Sequence, residues 1–393
     1  SGDSAKMDAY YRQYQPAMSA SAQLPFRNQT GGFDLVSIER ADPRTIEFIA
    51  KERRGPTTAF GTIELSAGNA LMVSRLQLIG LGPGVTAAQM KIAAPQRQSA
   101  IDGAIANLNE FYVFPDVAKA MGDTLRARLK RGAYDDATNG VAFANTLTLD
   151  LQSVSHDKHL RMNFAAQPIP DRQPGPPTPE MTARYQKQME QINCGFVKVE
   201  QLAGNVGYVK FNMFADPAVC GPTASAAMNF VANSDALIID LRDNGGGDPA
   251  MVNYLCSYLF STKTHINDLW DRKSGSTREY WTSDTVRGKR LADGKPVYVL
   301  TSSRTFSGGE EFTYDLQTQK RATIVGETTG GGAHPVSGHR IDEHFMIGVP
   351  GARAINPITH TNWEGTGVTP DVKVPANDAL TTAQRLISEK MKP

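Results

Sequence analysis

The stretch Ala236–Pro249, A-L-I-I-D-L-R-D-N-G-G-G-D-P, decides the fold of the C-terminal half of this chain. An apolar run of strand length leads into a glycine loop, and a helix-like pattern follows. Similar strand-like runs recur after Val197 as V-G-Y-V-K-F, V-Y-V-L-T and A-T-I-V-G, with helix-like runs between them. This alternation predicts an α/β domain whose helices pack on a sheet.

The rest of the chain changes its pattern several times. Short apolar segments between Gly, Pro and Asn fill residues 33–81, helical spacing runs from Ala94 to Met162, and dense prolines follow. At 393 residues, two or three domains are expected. We therefore predict an α/β (α+β) multidomain protein. Its N-terminal part is expected to consist of a weakly ordered lead-in over 1–20, a small β-rich domain over 21–92 and a helical domain over 93–165. A Pro-rich linker over 166–190 and a catalytic domain over 191–393 are expected to follow.

The composition excludes several kinds of partner. Forty-one basic residues balance 40 acidic ones, and no basic run stands out, so we expect no nucleic-acid partner. No apolar stretch approaches the length of a membrane-spanning helix, and the first residues do not have the pattern of a signal peptide. We expect a soluble globular chain.

Three cysteines, Cys194, Cys220 and Cys256, lack C-x-x-C spacing. Neither a zinc site nor a dithiol redox motif is therefore predicted. Buried free thiols are the preferred interpretation, while one disulfide in an oxidising compartment stays open.

The segment T-F-S-G-G-E-E places Ser307 between the strand-like run V-Y-V-L-T and a helix-like run. The unpaired N–H groups and partial positive charge of a helix N-terminus can stabilise an alkoxide and an oxyanion. Ser307 is thus a candidate nucleophile. An ordinary Ser N-cap fits the same residues.

The glycine loop Gly245–Gly247 could aim a backbone N–H at the same oxyanion. A phosphate loop is the competing hypothesis, but no G-K-[ST] follows and the G-x-G-x-x-G spacing is absent. A structural turn remains the third interpretation.

A serine nucleophile needs a base, and the chain has seven histidines. His156 and His159 form an H-x-x-H pattern, but no third ligand is evident nearby, so we expect no metal and no cofactor. The residues alone do not select His156 over His334 as the base.

Five motifs, S-V-S-H-D-K-H-L, D-L-R-D-N-G-G-G, T-F-S-G-G-E-E-F, A-T-I-V-G-E-T-T-G-G-G-A-H-P and G-T-G-V-T-P-D, together resemble one serine peptidase family. It contains the C-terminal processing (tail-specific) proteases, the tricorn core proteases and the interphotoreceptor retinoid-binding proteins. The resemblance covers about residues 94–374 and implies a crotonase/ClpP-like core of ββα units.

The resemblance also implies roles for particular residues. Processing proteases use a lysine 25 residues after the serine, but position 332 here is glycine. Tricorn-like members use a Ser-His-Ser-Glu tetrad instead. Carried over, the tetrad implies Ser307 as nucleophile, His156 as general base, Ser155 as relay and Glu364 as the group that polarises Ser155.

Further site residues come from the same resemblance. It implies backbone oxyanion donors at Gly308 and in the glycine loop, at Gly246 or Gly245. His334 and Gly331 are expected near the substrate cleft. The processing proteases carry a PDZ domain where this chain has only the Pro-rich linker, so the resemblance favours the tricorn-like and retinoid-binding-protein-like branch.

The sequence therefore predicts a cofactor-free serine peptidase that forms an acyl-enzyme on Ser307 and acts on peptides or unfolded proteins. A carrier of hydrophobic, retinoid-like or lipid-like ligands is the alternative on the same fold. An esterase or amidase is another, since it would use identical machinery. The resemblance implies an extracytoplasmic, periplasmic or secreted location.

Overall fold

A computed structural model describes residues 2–15, 20–66, 72–83, 85–171 and 175–391. Two helices, α1 (Gly2–Tyr14) and α2 (Ala20–Thr30), precede four antiparallel strands: β1 (Phe33–Ala41), β2 (Thr45–Glu52), β3 (Thr57–Leu65) and β4 (Val73–Pro83). The strands lie where alternation predicted a β-rich domain. Helix α1 lies within the predicted lead-in, and the rings of Tyr10 and Tyr14, one turn apart, have centroids 5.3 Å apart.

A helical bundle follows the first sheet. It comprises α3 (Ala94–Phe111), α4 (Pro115–Lys130) and α5 (Gly140–Ser155). Its core buries Ile101, Leu125 and Leu151 together with Phe345 and Ile347 from the C-terminal half. Burial of these apolar side chains stabilises the contact between the two halves.

A short strand ties the bundle to the C-terminal half. Strand β5 (Arg161–Phe164) follows α5 and pairs antiparallel with β14 (Phe345–Pro350), which pairs in turn with β13 (Val336–Arg340). This ladder fixes the loop 156–160 against the domain that carries Ser307.

The predicted Pro-rich linker is partly helical. Helix α6 (Pro179–Gln191) begins at Thr178, whose side chain accepts a hydrogen bond from the N–H of Met181, and proline occupies the first turn. Proline is well tolerated there because that N–H would be unpaired in any case. Residues 172–174 of the stretch lie outside the described residues.

The main sheet has six strands in the order β16-β12-β11-β8-β7-β6. All neighbours are parallel except β6 and β7. The strands are β6 (Phe196–Leu202), β7 (Val206–Phe211), β8 (Ala236–Asp240), β11 (Val297–Thr301), β12 (Thr323–Gly326) and β16 (Val372–Lys373). Every residue of β8 and β11 is buried, which fits a parallel sheet covered on both faces.

The remaining elements cover or extend this sheet. Helix α10 packs on one face with Tyr298 and Leu300, while the larger apolar core lies on the other. A further antiparallel sheet has the order β10-β9-β15. These elements are α7 (Pro217–Val231), α8 (Pro249–Cys256), α9 (Gly308–Thr318), α10 (Ala379–Lys390), β9 (His265–Asp271), β10 (Thr277–Trp281) and β15 (Ala352–Ile355).

The cysteines correct one expectation. Cys194 and Cys220 form a disulfide, with Cα atoms 5.7 Å apart, whereas Cys256 is free and buried. The two partners come from the turn after α6 and from α7, so the disulfide joins this turn to the catalytic half.

In the described part of the chain, every helix is too short or too polar to span a bilayer.

Candidate active site

Ser307 lies at the turn from β11 into α9 and is the N-cap of that helix. Its backbone has φ 53° and ψ −120°, a region that L-residues with a side chain rarely occupy. Such a conformation costs on the order of 1–3 kcal/mol and persists only where neighbours enforce it. The turn therefore holds Ser307 in a defined, strained position.

The buried carboxylate of Glu310 is one neighbour that enforces this turn. Its Oε2 accepts hydrogen bonds from the backbone N–H of Ser307 and of Gly332, both at 2.9 Å. Its Oε1 accepts from the N–H of Gly331 at 2.6 Å and from the Thr329 hydroxyl. Glu310 thus joins the turn at Ser307 to the loop 329–332. Gly331, which was predicted near the substrate, donates its backbone N–H to Glu310 instead.

Two backbone N–H groups beside Ser307 are free. Within the described residues, the N–H groups of Gly308 and Gly247 have no hydrogen-bond acceptor. A Cβ on Gly308 would lie 3.1 Å from the Gly247 nitrogen, so the two segments approach closely. Two unpaired donors next to a serine form a candidate oxyanion hole.

The glycine loop supplies a different donor from the predicted one. The N–H of Gly245 donates to the Asn212 carbonyl at 3.1 Å, and that of Gly246 donates to Asn244 Oδ1 at 2.8 Å. Both amides are engaged, which leaves Gly247 as the available donor. Gly246 serves close approach instead, since a Cβ there would lie 2.7 Å from Ser307 Cβ.

Among the described residues, no hydrogen bond or ring contact links His156 or Ser155 to Ser307. His156 is the left-handed C-cap of α5 and its side chain is exposed. The Ser155 hydroxyl donates to the Leu151 carbonyl at 3.0 Å and accepts from the Asp157 N–H at 3.2 Å. The Ser155 hydroxyl thus bonds to the end of α5 and the His156 side chain is exposed, so the predicted relay stays a prediction.

His159, three residues further on, lies against the nucleophile turn. Its ring centroid is 4.6 Å from the ring of Phe306, which precedes Ser307. A Cβ on Gly332 would lie 2.7 Å from His159 Cε1. Burial lowers the pKa of His159 to about 4, although the nearby Asp157 carboxylate opposes the shift. Its imidazole is therefore neutral at pH 7, with Nδ1 buried and without a partner among the described residues.

Asp157, His334 and Glu364 form a buried cluster beside this histidine. Asp157 Oδ2 lies 2.7 Å from His334 Nδ1, and Glu364 Oε2 lies 3.5 Å from the same nitrogen. Asp157 Oδ1 accepts from the backbone N–H of His159 at 3.0 Å. Burial, with the Asp157 charge, raises the pKa of Glu364 to about 7. The predicted Glu364 thus lies beside His334 in this cluster.

The same three side chains are the described group best suited to a cation. Their ligand-type atoms lie within 4.8 Å of one another. However, His334 and Asp157 hydrogen-bond to each other, and Glu364 Oε2 accepts from the Ala333 N–H. Within the described residues, Glu364 Oε1 is the oxygen of this cluster that is buried without a hydrogen-bond partner.

A cavity of about 180 Å³ opens beside Ser307. Gly247, Gly308 and His334 are among the residues that line it. The nucleophile, the free amides and a buried imidazole thus face one space that can hold a substrate side chain.

A strained serine, two free amides and neighbouring buried imidazoles on an α/β fold define a serine-hydrolase class of site. Residues 205–374 match the family model of Peptidase family S41, and residues 90–199 match that of the N-terminal domain of Peptidase S41 in eukaryotic IRBP. These two segments place the chain in peptidase family S41, a family of serine peptidases. The predicted family is confirmed.

Similar proteins support the same assignment. The chloroplastic carboxyl-terminal-processing peptidase 2 of Arabidopsis thaliana is 28% identical over 186 residues, 43% of this chain and 32% of that protein. The carboxyl-terminal-processing protease of Picosynechococcus sp. is 26% identical over 200 residues, 49% of this chain and 45% of that protein. The chain spans less than half the length of these curated relatives.

A solved structure shows the shared fold. A Parabacteroides merdae protein described as a peptidase superposes with a TM-score of 0.52 at 17% identity, covering 75% of this chain and 97% of that chain. The predicted mixed α/β multidomain class is confirmed.

Several site residues were missed from sequence. His159 belongs to the H-x-x-H pattern, but that pattern does not indicate whether the His156 ring or the His159 ring packs against the protein. Glu310 follows Ser307 at the spacing of a capping box, which is a usable signal. The sequence could not show which of Gly245, Gly246 and Gly247 has a free backbone N–H. Only the hydrogen bonds that each N–H makes in the folded structure distinguish the three glycines.

Proposed function

We propose that this protein is a serine peptidase that cleaves peptide bonds through an acyl-enzyme on Ser307. The observation that carries this proposal is the strained turn, which presents Ser307 beside the free N–H groups of Gly308 and Gly247 at the mouth of a cavity. A ligand carrier has no need for a serine held in this way. A developing oxyanion is the group that two such donors stabilise best.

His159 is the proposed general base. Processing proteases carry their catalytic lysine at the position of Gly332, and here the His159 ring lies where a side chain at 332 would begin. Its lowered pKa keeps the imidazole in the proton-accepting form. His334 is the rival base, supported by its place in the cavity wall and by Asp157 at its Nδ1.

Asp157 is the proposed positioning residue. One carboxylate oxygen accepts from the His159 backbone and the other from His334. Its negative charge favours the imidazolium that forms during attack. His334 and the hydroxyl of Tyr112 in turn hold Asp157 in place.

The chemistry then follows in two stages. Ser307 Oγ attacks the carbonyl carbon, its proton passes to His159, and the oxyanion is bound by Gly308 and Gly247. His159 returns the proton to the leaving amine as the C–N bond breaks, which leaves an ester on Ser307. Water, deprotonated by His159, hydrolyses that ester and releases the acid and the free serine.

We propose peptides or unfolded proteins as substrates and an extracytoplasmic location. The curated relatives named as processing peptidases support the substrate class. The Cys194–Cys220 disulfide supports an oxidising compartment, because cytosolic reductants keep most thiols reduced.

Fluorophosphonate labelling with peptide mass mapping tests the nucleophile and the base together. Label is expected on Ser307 in the wild type and is lost in Ser307→Ala. His159→Ala is expected to lower the labelling rate by about 10²-fold or more, whereas His156→Ala leaves it near wild type. Loss in His334→Ala with retention in His159→Ala would assign the base to His334. A folded wild type that does not label would favour a ligand carrier, and faster turnover of simple esters than of peptides would favour an esterase.

A further inference from the structure

The cavity beside Ser307 has apolar walls and one acidic group. Its wall residues include Pro249, Leu269, Val336, Ala354 and Trp363, and its acidic group is Glu311. The cavity adjoins both proposed oxyanion donors, so it lies where the side chain preceding a scissile bond would enter. At about 180 Å³ it is suited to a single side chain.

Glu311 lies one helical turn after the nucleophile on α9 and is only 5% exposed. Its Oε1 accepts a hydrogen bond from Asn267 Nδ2 at 3.0 Å. Its Oε2 has no hydrogen-bond partner among the described residues. Because Glu311 lines the cavity, this unpaired oxygen can accept a hydrogen bond from a donor that enters it.

The charges near Glu311 are of the same sign. Asp248 lies close enough to raise its pKa, and Asp315, one further turn along α9, is fully buried. Neither carboxylate oxygen of Asp315 has a hydrogen bond of normal geometry, although the Asn356 amide lies nearby. The residues that line the cavity include no lysine or arginine. Glu311 is thus the one acidic side chain of the cavity lining, and no basic lysine or arginine lies opposite it there.

We propose that this cavity selects lysine or arginine immediately before the scissile bond, with Glu311 as the specificity-determining residue. The proposal rests on the peptidase function proposed above. The alkyl stem of a basic side chain would pack on the apolar walls, and its charged head would donate to Glu311 Oε2. An uncharged side chain of equal length would leave that oxygen unpaired.

Matched fluorogenic peptides test this selectivity. Four substrates differ only in the residue immediately before the scissile bond, which is lysine, arginine, glutamine or norleucine. At pH 8 the wild type is expected to show a kcat/KM for lysine at least about tenfold above that for norleucine. Glu311→Gln, which has the same shape without charge, is expected to bring that ratio close to one. Glu311→Asp, which withdraws the carboxylate, is expected to shift preference towards the longer arginine. Glu389→Gln, a surface carboxylate on α10, is the control that keeps the wild-type ratio.

Each outcome decides the proposal. Norleucine cleaved as fast as lysine by the wild type, or an unchanged ratio in Glu311→Gln, overturns it while leaving Ser307 as a nucleophile. If the folded wild type neither labels at Ser307 nor cleaves any peptide, the peptidase proposal fails separately. Binding of a cation to the cavity is then measured by NMR titration with n-butylguanidine. The two proteins compared are the single variant Ser307→Ala and the double variant that carries Ser307→Ala and Glu311→Gln. Weaker binding in the double variant supports a cation subsite, and equal or absent binding in both overturns it.

Discussion

Gly332 faces the His159 imidazole so closely that a Cβ on residue 332 would lie 2.7 Å from Cε1. The same Cβ would lie 2.4 Å from the Phe306 ring. The absence of a side chain at this one position therefore leaves room for the histidine beside the nucleophile.

Gly332→Ala is expected to lower kcat by roughly 10²-fold, because small displacements of a catalytic group have effects of that size. Peptide hydrolysis and labelling at Ser307 measure the change. Gly175→Ala is the matched control, since nothing lies within 4 Å of a Cβ there. Full activity in Gly332→Ala would show that the position of the His159 ring is not critical.

Glu310→Gln should damage both activity and stability. The amide has one acceptor oxygen, whereas Glu310 accepts from Ser307, Gly331, Gly332 and Thr329. At least one buried backbone N–H loses its acceptor, so we expect about 2–3 kcal/mol lower stability and loss of labelling. Urea unfolding and labelling measure the two effects, and Glu180→Gln in the first turn of α6 is the control. Wild-type labelling in a destabilised Glu310→Gln variant would show that Glu310 stabilises the fold but is not needed to position Ser307.

The pH profile identifies the base. The pKa of His159 is lowered to about 4, so the neutral, proton-accepting imidazole persists as the pH falls from 7 to about 4. The acid limb of kcat/KM on a substrate without ionisable groups is therefore expected near pH 4. Circular dichroism at each pH confirms that the protein stays folded. An acid limb at pH 6–7 would argue against His159.

Asp315 is expected to make stability fall as pH rises. Burial raises its pKa well above the ordinary value, so between that ordinary value and the raised one the folded state retains a proton that the unfolded state has lost. The free energy of unfolding then decreases with rising pH, by up to about 1.4 kcal/mol per pH unit for this one group. Asp315→Asn removes this contribution. The melting temperature of the variant relative to that of the wild type is therefore expected to increase as the pH rises from 5 to 8. Parallel curves for the two proteins would contradict a buried, protonated Asp315.

The Cys194–Cys220 disulfide closes a loop across a separation of 26 residues. Replacing both cysteines by serine is expected to lower stability by about 3 kcal/mol, mainly because the unfolded chain regains freedom. Urea unfolding of the oxidised wild type and of the double variant measures this difference. Cys256→Ser is a poor control because Cys256 is buried, so dithiothreitol treatment of the wild type serves instead. Unchanged unfolding midpoints would contradict a structural role.

The local structure around Ser307 was predicted from neighbouring residues in the chain. Ser307 and Gly308 lie together at a strand-to-helix turn, which the apolar run and the glycines already indicate. The family motifs supplied the order of the segments and the mixed α/β class.

The parts that could not be predicted depend on distant contacts. The left-handed backbone at His156 directs that side chain outward and leaves His159 to pack on Phe306. The engagement of the Gly245 and Gly246 amides depends on Asn212 and Asn244. Neither the backbone angle nor the acceptors can be inferred from residue spacing.

The ladder between β5 and β14 has a practical consequence. The proposed base precedes β5, whereas the nucleophile and both oxyanion donors come from the segment beyond the prolines. A cut in the Pro-rich stretch would yield two fragments that each hold an incomplete catalytic set. Mixing such fragments is a complementation assay, in which recovered turnover reports their reassociation through this strand pair and the apolar core that it shares with the helical bundle.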